Sequence, residues 1–236
     1  MRSLLCAIVM ALALPARADY DFGDRRLAPL EDPLRVEFSP GAAPSAEKLR
    51  EVVASVAPAR EWRVMQSGGR LELEKSVRNK HLLRVALEQD ARGFSLRYVE
   101  SLNLMYREFE RYGEKLRLVH QNYNAWVREL AGAIAAGLGI SAAPIAGFAP
   151  LASVDAVPYL RPNGRDAYAK FLAAEKPRAF AIAPNGAWAW STVGDRNGKR
   201  RQNFDAIDRA LERCNRRADG ECHLYALDER VVWRGQ

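Results

Sequence analysis

Between Trp62 and Val99 the chain alternates apolar and polar residues in four consecutive segments: 62–66, 71–75, 81–87 and 94–99. They are separated by Ser67-Gly68-Gly69, Arg78-Asn79-Lys80 and Ala91-Arg92-Gly93, which are turn-prone triplets. A period of two places alternate side chains on opposite faces of a strand, so this pattern predicts an antiparallel meander with one face buried. That buried face needs a cover. The stretch from Asn122 to Leu138 supplies one, because Tyr123, Trp126, Val127, Leu130, Ile134 and Leu138 fall along one stripe of a helix. Upstream, residues 34–38 alternate as a short strand ended by Ser39-Pro40-Gly41. A helix capped by Ser45 follows, carrying Leu49, Val52, Val53 and Val56, with Pro58 closing it. Residues 34–139 thus form a first α+β domain, preceded by a polar lead over 19–33.

Gly139 ends the helix, and residues 140–163, rich in Ala and Pro, have the composition of a linker. A second, smaller α+β domain is predicted over 164–233. It comprises a helix from Asp166 to Ala174, a strand over 178–183, the turn Pro184-Asn185-Gly186 and a return strand over 187–191. A helix near 203–215 then presents Phe204, Ile207, Leu211 and Cys214 on one side. Strands at 223–227 and 231–233 flank the turn Asp228-Glu229-Arg230. No internal repeat is present.

The N-terminus carries an export signal: Arg2, an unbroken apolar run of eleven residues from Leu4 to Leu14, and the small-x-small site Ala16-Arg17-Ala18. A cleavable signal peptide over 1–18 is the expectation, leaving Asp19 at the mature end. The run is about half the roughly 20 residues a bilayer core requires, and no later segment is longer, so no transmembrane segment is expected in the mature chain. Cleavage removes Arg2, Arg17 and no acid, taking the formal charge from +7 to +5. Cys6 leaves with the signal, so Cys214 and Cys222 are an even pair in an oxidising compartment, and a disulfide is expected. The localisation implied is periplasmic or secreted.

The residues Tyr98, Ser101, Asn103, Leu104 and Tyr106, followed by His120, Tyr123, Asn124, Trp126 and Val127, form a Y-x-x-S-x-N-L-x-Y then H-x-x-Y-N-x-W-V pattern. This resembles small uncharacterised envelope proteins of Gram-negative bacteria, many of them lipoproteins, over roughly residues 34–138. The chain departs from them in having Val119 where isoleucine is usual and in lacking a lipid-attachment cysteine. The second half is similar to another small secreted module of unassigned function, through Pro177 to Ile182, Ala210 to Cys214 and Cys222 to Trp233. Both resemblances imply location and fold, and neither implies an activity.

Two constellations are candidates for binding. His120, Asn122, Tyr123, Asn124 and Trp126 crowd a helix start, where free N–H groups can hold an anion, and Ser101 and Asn103 lie at the end of the preceding strand. The structural alternative is that Asn122 caps the helix, His120 bonds a strand carbonyl, and Tyr123 and Trp126 fill the core. In the second half, Trp188 and Trp190 alternate with alanines. If their face is open, they can stack on a ring beside Arg178 or Lys199-Arg200-Arg201; otherwise they form a core under the 203–215 helix. Motifs for nucleophilic catalysis, phosphate loops, zinc and calcium are missing, so no catalytic residue, no cofactor and no metal is expected. The leading expectation is a non-enzymatic envelope protein that binds an envelope protein or an anionic glycan, with no genomic nucleic acid as partner. The alternatives are a hydrolase of envelope polymer, its carboxylates meeting only in the fold, and a basic protein associated with membrane surfaces.

Overall fold

The computed structural model describes residues 22, 24, 26–192 and 203–235, with side chains from 205 onward in the last segment. The expected signal peptide, its cleavage site, Lys199-Arg200-Arg201 and the Phe204 side chain lie outside the described residues. The class is α+β, as the alternation and helical stripes imply.

The chain enters through β1 (Leu27–Pro29) and β2 (Leu34–Glu37), then α1 (Ala46–Val56). The Ser45 side chain accepts the Lys48 N–H at 3.1 Å, which satisfies one of the free donors at the start of α1. The meander follows as β3 (Trp62–Ser67), β4 (Arg70–Val77), β5 (His81–Asp90) and β6 (Gly93–Leu102), then β7 (Arg107–Arg111), β8 (Glu114–His120) and α2 (Gln121–Gly137). The strands β3 to β6, β2 and the short β9 (Ile145–Ala146) make one antiparallel sheet in the order β3-β4-β5-β6-β2-β9. On its inner face Leu34, Val36, Leu73, Leu83, Val85, Phe94 and Leu96 meet Leu49, Val52 and Val53 of α1 and Tyr123, Val127, Leu130 and Ile134 of α2. Two helices therefore cover the face, where the apolar stripe of 122–138 alone accounts for one.

The outer face carries charge. Arg84 lies 2.9 Å from Glu74, 3.0 Å from Glu100 and 3.8 Å from Glu72, and Arg63 lies 2.5 Å from Glu74. Burial raises the Glu74 pKa, but the Arg84 and Arg63 guanidiniums outweigh it and hold the carboxyl below its ordinary value.

Three features depart from the sequence expectations. The polar lead contains β1, which pairs with β8 in a three-stranded sheet β1-β8-β7, its Leu27 and Ala28 fully buried. A three-residue strand is too short to display alternation. The strands β7 and β8 were not anticipated, since charged residues dominate 107–117 and obscure the period. The expected linker contributes β9 to the main sheet, and Gly147, at φ +76°, lies so close to the Val231 carbonyl that a Cβ would sit 2.3 Å from that oxygen.

Beyond that stretch come α3 (Pro162–Ala173), β10 (Arg178–Ile182), β11 (Trp188–Thr192), α4 (Asn203–Asn215), β12 (His223–Leu227) and β13 (Arg230–Val231). The last sheet runs β11-β10-β12-β13. Its two faces are occupied in the reverse of the expected way: α4 packs on the alanine face of Ala179, Ala181 and Ala189, while Phe180 and Ile182 meet Tyr168 and Phe171 of α3. Small side chains let a helix approach a sheet closely, and the bulky face is filled by aromatic rings of the other helix. Cys214 and Cys222 are disulfide-bonded, tying the end of α4 to the start of β12, a loop closure worth about 2–3 kcal/mol on chain-entropy grounds. Among the described residues no helix is long and apolar enough to cross a membrane.

Candidate functional site

The sequence motif around α2 folds into a local knot of hydrogen bonds and stacked rings. His120 is the N-cap of α2, and its Nδ1 accepts the Asn122 N–H at 3.2 Å. The cap is thus the histidine, and Asn122 is exposed. The Gln121 N–H is taken by the Arg26 carbonyl at 2.7 Å, so the first donors of the helix already have partners. Burial, then Arg26 and His81, push the His120 imidazole below its ordinary pKa, which keeps the ring neutral and able to accept. Ser101 bonds the Tyr98 hydroxyl at 3.1 Å, whereas Asn103 donates to the Lys80 carbonyl at 2.6 Å. Ser101 is thus engaged along its own strand and Asn103 with the β4–β5 turn, and neither side chain bonds the helix start. It is the His81 ring that bonds a carbonyl there, that of Asn103 just past the end of β6, at 2.8 Å.

Tyr98 stacks on Tyr106 with centroids 4.9 Å apart and tilts against the buried Tyr123. Trp126 is half-buried at the margin of the same core. The residue that holds this region is Asn124, which the motif contains and which serves a structural role. It is 3% exposed, donates to the Pro29 carbonyl at 2.8 Å and accepts the Glu31 N–H at 3.1 Å. Its signal was an amide on the apolar stripe, between Tyr123 and Val127, where Gln121 and Asn122 fall off it.

The second constellation opens onto solvent. A groove of about 510 Å³ runs along the outer edge of β11, lined by residues 188–192 and by Arg213, Arg216 and Arg217. Because β11 ends its sheet, alternate backbone groups face away from β10. Ala187 bonds inward, to the Ala183 N–H at 2.9 Å, so the groups of Trp188 and Trp190 face outward. Their carbonyls accept from arginines at and just beyond the end of α4: Arg217, in the turn after the helix, reaches Trp188 O and Arg213 of α4 reaches Trp190 O, each at 3.3 Å.

Both indoles are half-buried. Trp188 lies parallel to Phe180 at 6.2 Å, with the Arg217 guanidinium 6.0 Å from its ring centre. Gly164 of α3 abuts that indole so closely that a Cβ would come within 2.9 Å of it. Arg216 pairs with Glu212 at 2.6 Å, while Arg213 and Arg217 have no carboxylate partner among the described residues. The groove is a concave, rigid, cationic surface with aromatic walls.

Arg178, expected beside the tryptophans, is elsewhere. It is 7% exposed and donates to the Phe171 and Ala174 carbonyls, each at 2.8 Å, and to Leu172 O, closing the C-terminus of α3. The cations that do line the groove are Arg213 of α4 and Arg216 and Arg217 of the turn that follows it, a stretch whose sequence shows only a turn. A second cavity, about 30 Å³, lies between β8 and β12 near Glu114, Lys115, Arg117 and Arg234, with room for one or two waters. No group of metal-ligating side chains occurs among the described residues.

No protein-family model matches the chain, and neither a curated protein nor a solved structure matches it.

Proposed function

We propose that this is an exported, non-enzymatic envelope protein that binds an anionic component of the cell envelope in the groove along β11. The observation that carries the reading is two arginines, Arg213 and Arg217, held over an exposed sheet edge beside two indoles without a carboxylate partner among the described residues. Burying such donors against an anion forms charge-assisted hydrogen bonds, each stronger than a neutral one. Export is supported by the Arg2 to Ala18 signal pattern and by the Cys214–Cys222 disulfide, which persists in an oxidising compartment. The hydrolase alternative has less to draw on. The clustered carboxylates Glu72, Glu74 and Glu100 surround Arg84 on the open face of the main sheet, and the groove is lined by donors and rings.

A photo-cross-linking residue at Thr192, compared with one at the exposed Asp155, tests the proposal in intact cells. Thr192 should capture an envelope component that Asp155 does not. Equal capture at both positions, or none at either, refutes binding at the groove.

A further inference from the structure

Taking the groove as the binding site, we infer that its ligand is a polyanionic saccharide, a chain of acidic sugars, and not a polypeptide added as an extra strand. An edge strand invites strand addition when it offers alternating N–H and C=O groups to an incoming chain. On β11 that alternation is removed: Arg217 covers Trp188 O and Arg213 covers Trp190 O. What remains is the outward N–H groups of Trp188 and Trp190 together with guanidinium N–H groups, so donors outnumber the acceptor capacity left on the two carbonyls, each of which already accepts one bond.

A peptide strand laid here would turn its own N–H groups toward donors, and each buried donor left unpaired costs about 1–3 kcal/mol. A chain of acidic sugars brings carboxylates and ring oxygens, which only accept, and hydroxyls, which rotate to accept. The walls suit it as well. Trp188 and Trp190 offer rigid, half-exposed aromatic surface at small entropic cost, and Trp188 is immobilised between Phe180, Gly164 and Arg217.

The test measures binding of the full mature chain to polygalacturonate by calorimetry and by tryptophan fluorescence. Poly-L-glutamate, oligodeoxythymidylate and neutral dextran serve as comparison polymers. Polygalacturonate is expected to bind at least about tenfold more tightly than each of the other three. Its affinity should fall about tenfold or more in the R213Q/R217Q protein and also fall at high salt. An R165Q protein, altered on α3 away from the groove, controls for charge alone, and circular dichroism verifies that each variant is folded.

Tighter binding of poly-L-glutamate with new amide protection in β11 would establish strand addition and overturn the saccharide, leaving the groove as an anion site. Preference for the oligonucleotide would overturn it in the same way. Equal binding of dextran would remove the anionic requirement, and binding of none of the polymers would sink both the saccharide and the groove reading.

Discussion

Asn124 illustrates how a single buried amide can substitute for sheet pairing. Its two hydrogen bonds satisfy the carbonyl of Pro29, the last residue of β1, and the N–H of Glu31, two residues further on. Asn124→Ala leaves the Glu31 N–H buried and unpaired and the Pro29 carbonyl with only the longer 3.4 Å bond from Arg230, so urea unfolding should show a loss of about 1–3 kcal/mol; a loss below about 0.5 kcal/mol would mean water replaces the amide. His120 adds a pH dependence. Its folded pKa is lowered from 6.5 by burial and by Arg26 and His81, so the folded state binds the proton less readily than the unfolded chain. The stability it contributes is therefore complete above about pH 6.5 and is lost as pH falls through the lower folded value. Protonation also removes the acceptor for the Asn122 N–H. His120→Asn keeps a capping group without a titrating one, so between pH 7.5 and pH 5 the wild type should lose stability relative to the variant. Parallel pH profiles would show that the ring does not carry the effect.

Among the elements, the β10–β11 ribbon shows how one alternating pattern sorts two helices. Ala179, Ala181 and Ala189 admit α4, and the aromatic face receives α3. Enlarging the small face should then cost more than trimming the large one. Ala181→Leu forces α4 away from the sheet and is expected to destabilise by about 1–3 kcal/mol or more. Ile182→Val, on the opposite face, is expected to cost about 0.5–1.5 kcal/mol. Thermal unfolding of the two variants gives the order, and a reversed order would contradict the assigned faces. The alternation was readable from residues 178–190, but which helix took which face was not, because both helices are amphipathic and either meets the periodicity requirement. The β1-β8-β7 sheet was less legible still, since β1 owes its place to pairing with β8 across about ninety residues of chain and charge masks the period of the β7–β8 hairpin.

For the whole molecule, the junction between the two halves is built from apolar contact and buried charge. Leu27, Ala28, Leu116 and Leu118 share one core with Ala179, Ala181, Ile207 and Leu224. Glu31, 5% exposed, faces Arg230 at 2.6 Å and also pairs with Arg128 of α2. His223 pairs with Glu114 across the junction at 2.6 Å, while Asp32 pairs with Arg117 inside the first half. A shared core of this kind couples the halves, so calorimetry should record one cooperative transition, with Glu31→Gln lowering stability by about 1–3 kcal/mol. Two resolved transitions in the wild type would show that the halves unfold separately.

By itself the sequence determined what depends on near neighbours: the alternation that makes the meander, the helical stripes, the Ser45 cap, the turns, and a pair of cysteines close enough along the chain to join. These follow from backbone geometry and the burial of one face, which act over a few residues. Tertiary structure decided what depends on remote partners, including the pairing of β1 with β8, the exchange of helices over the β10–β11 ribbon, and the placement of Arg178 at the end of α3. It also brought Arg213 and Arg217 over the carbonyls of Trp188 and Trp190. A guanidinium has five donors and a long stem, and the acceptors it reaches are chosen by how helix and strand pack, a choice that no local pattern encodes.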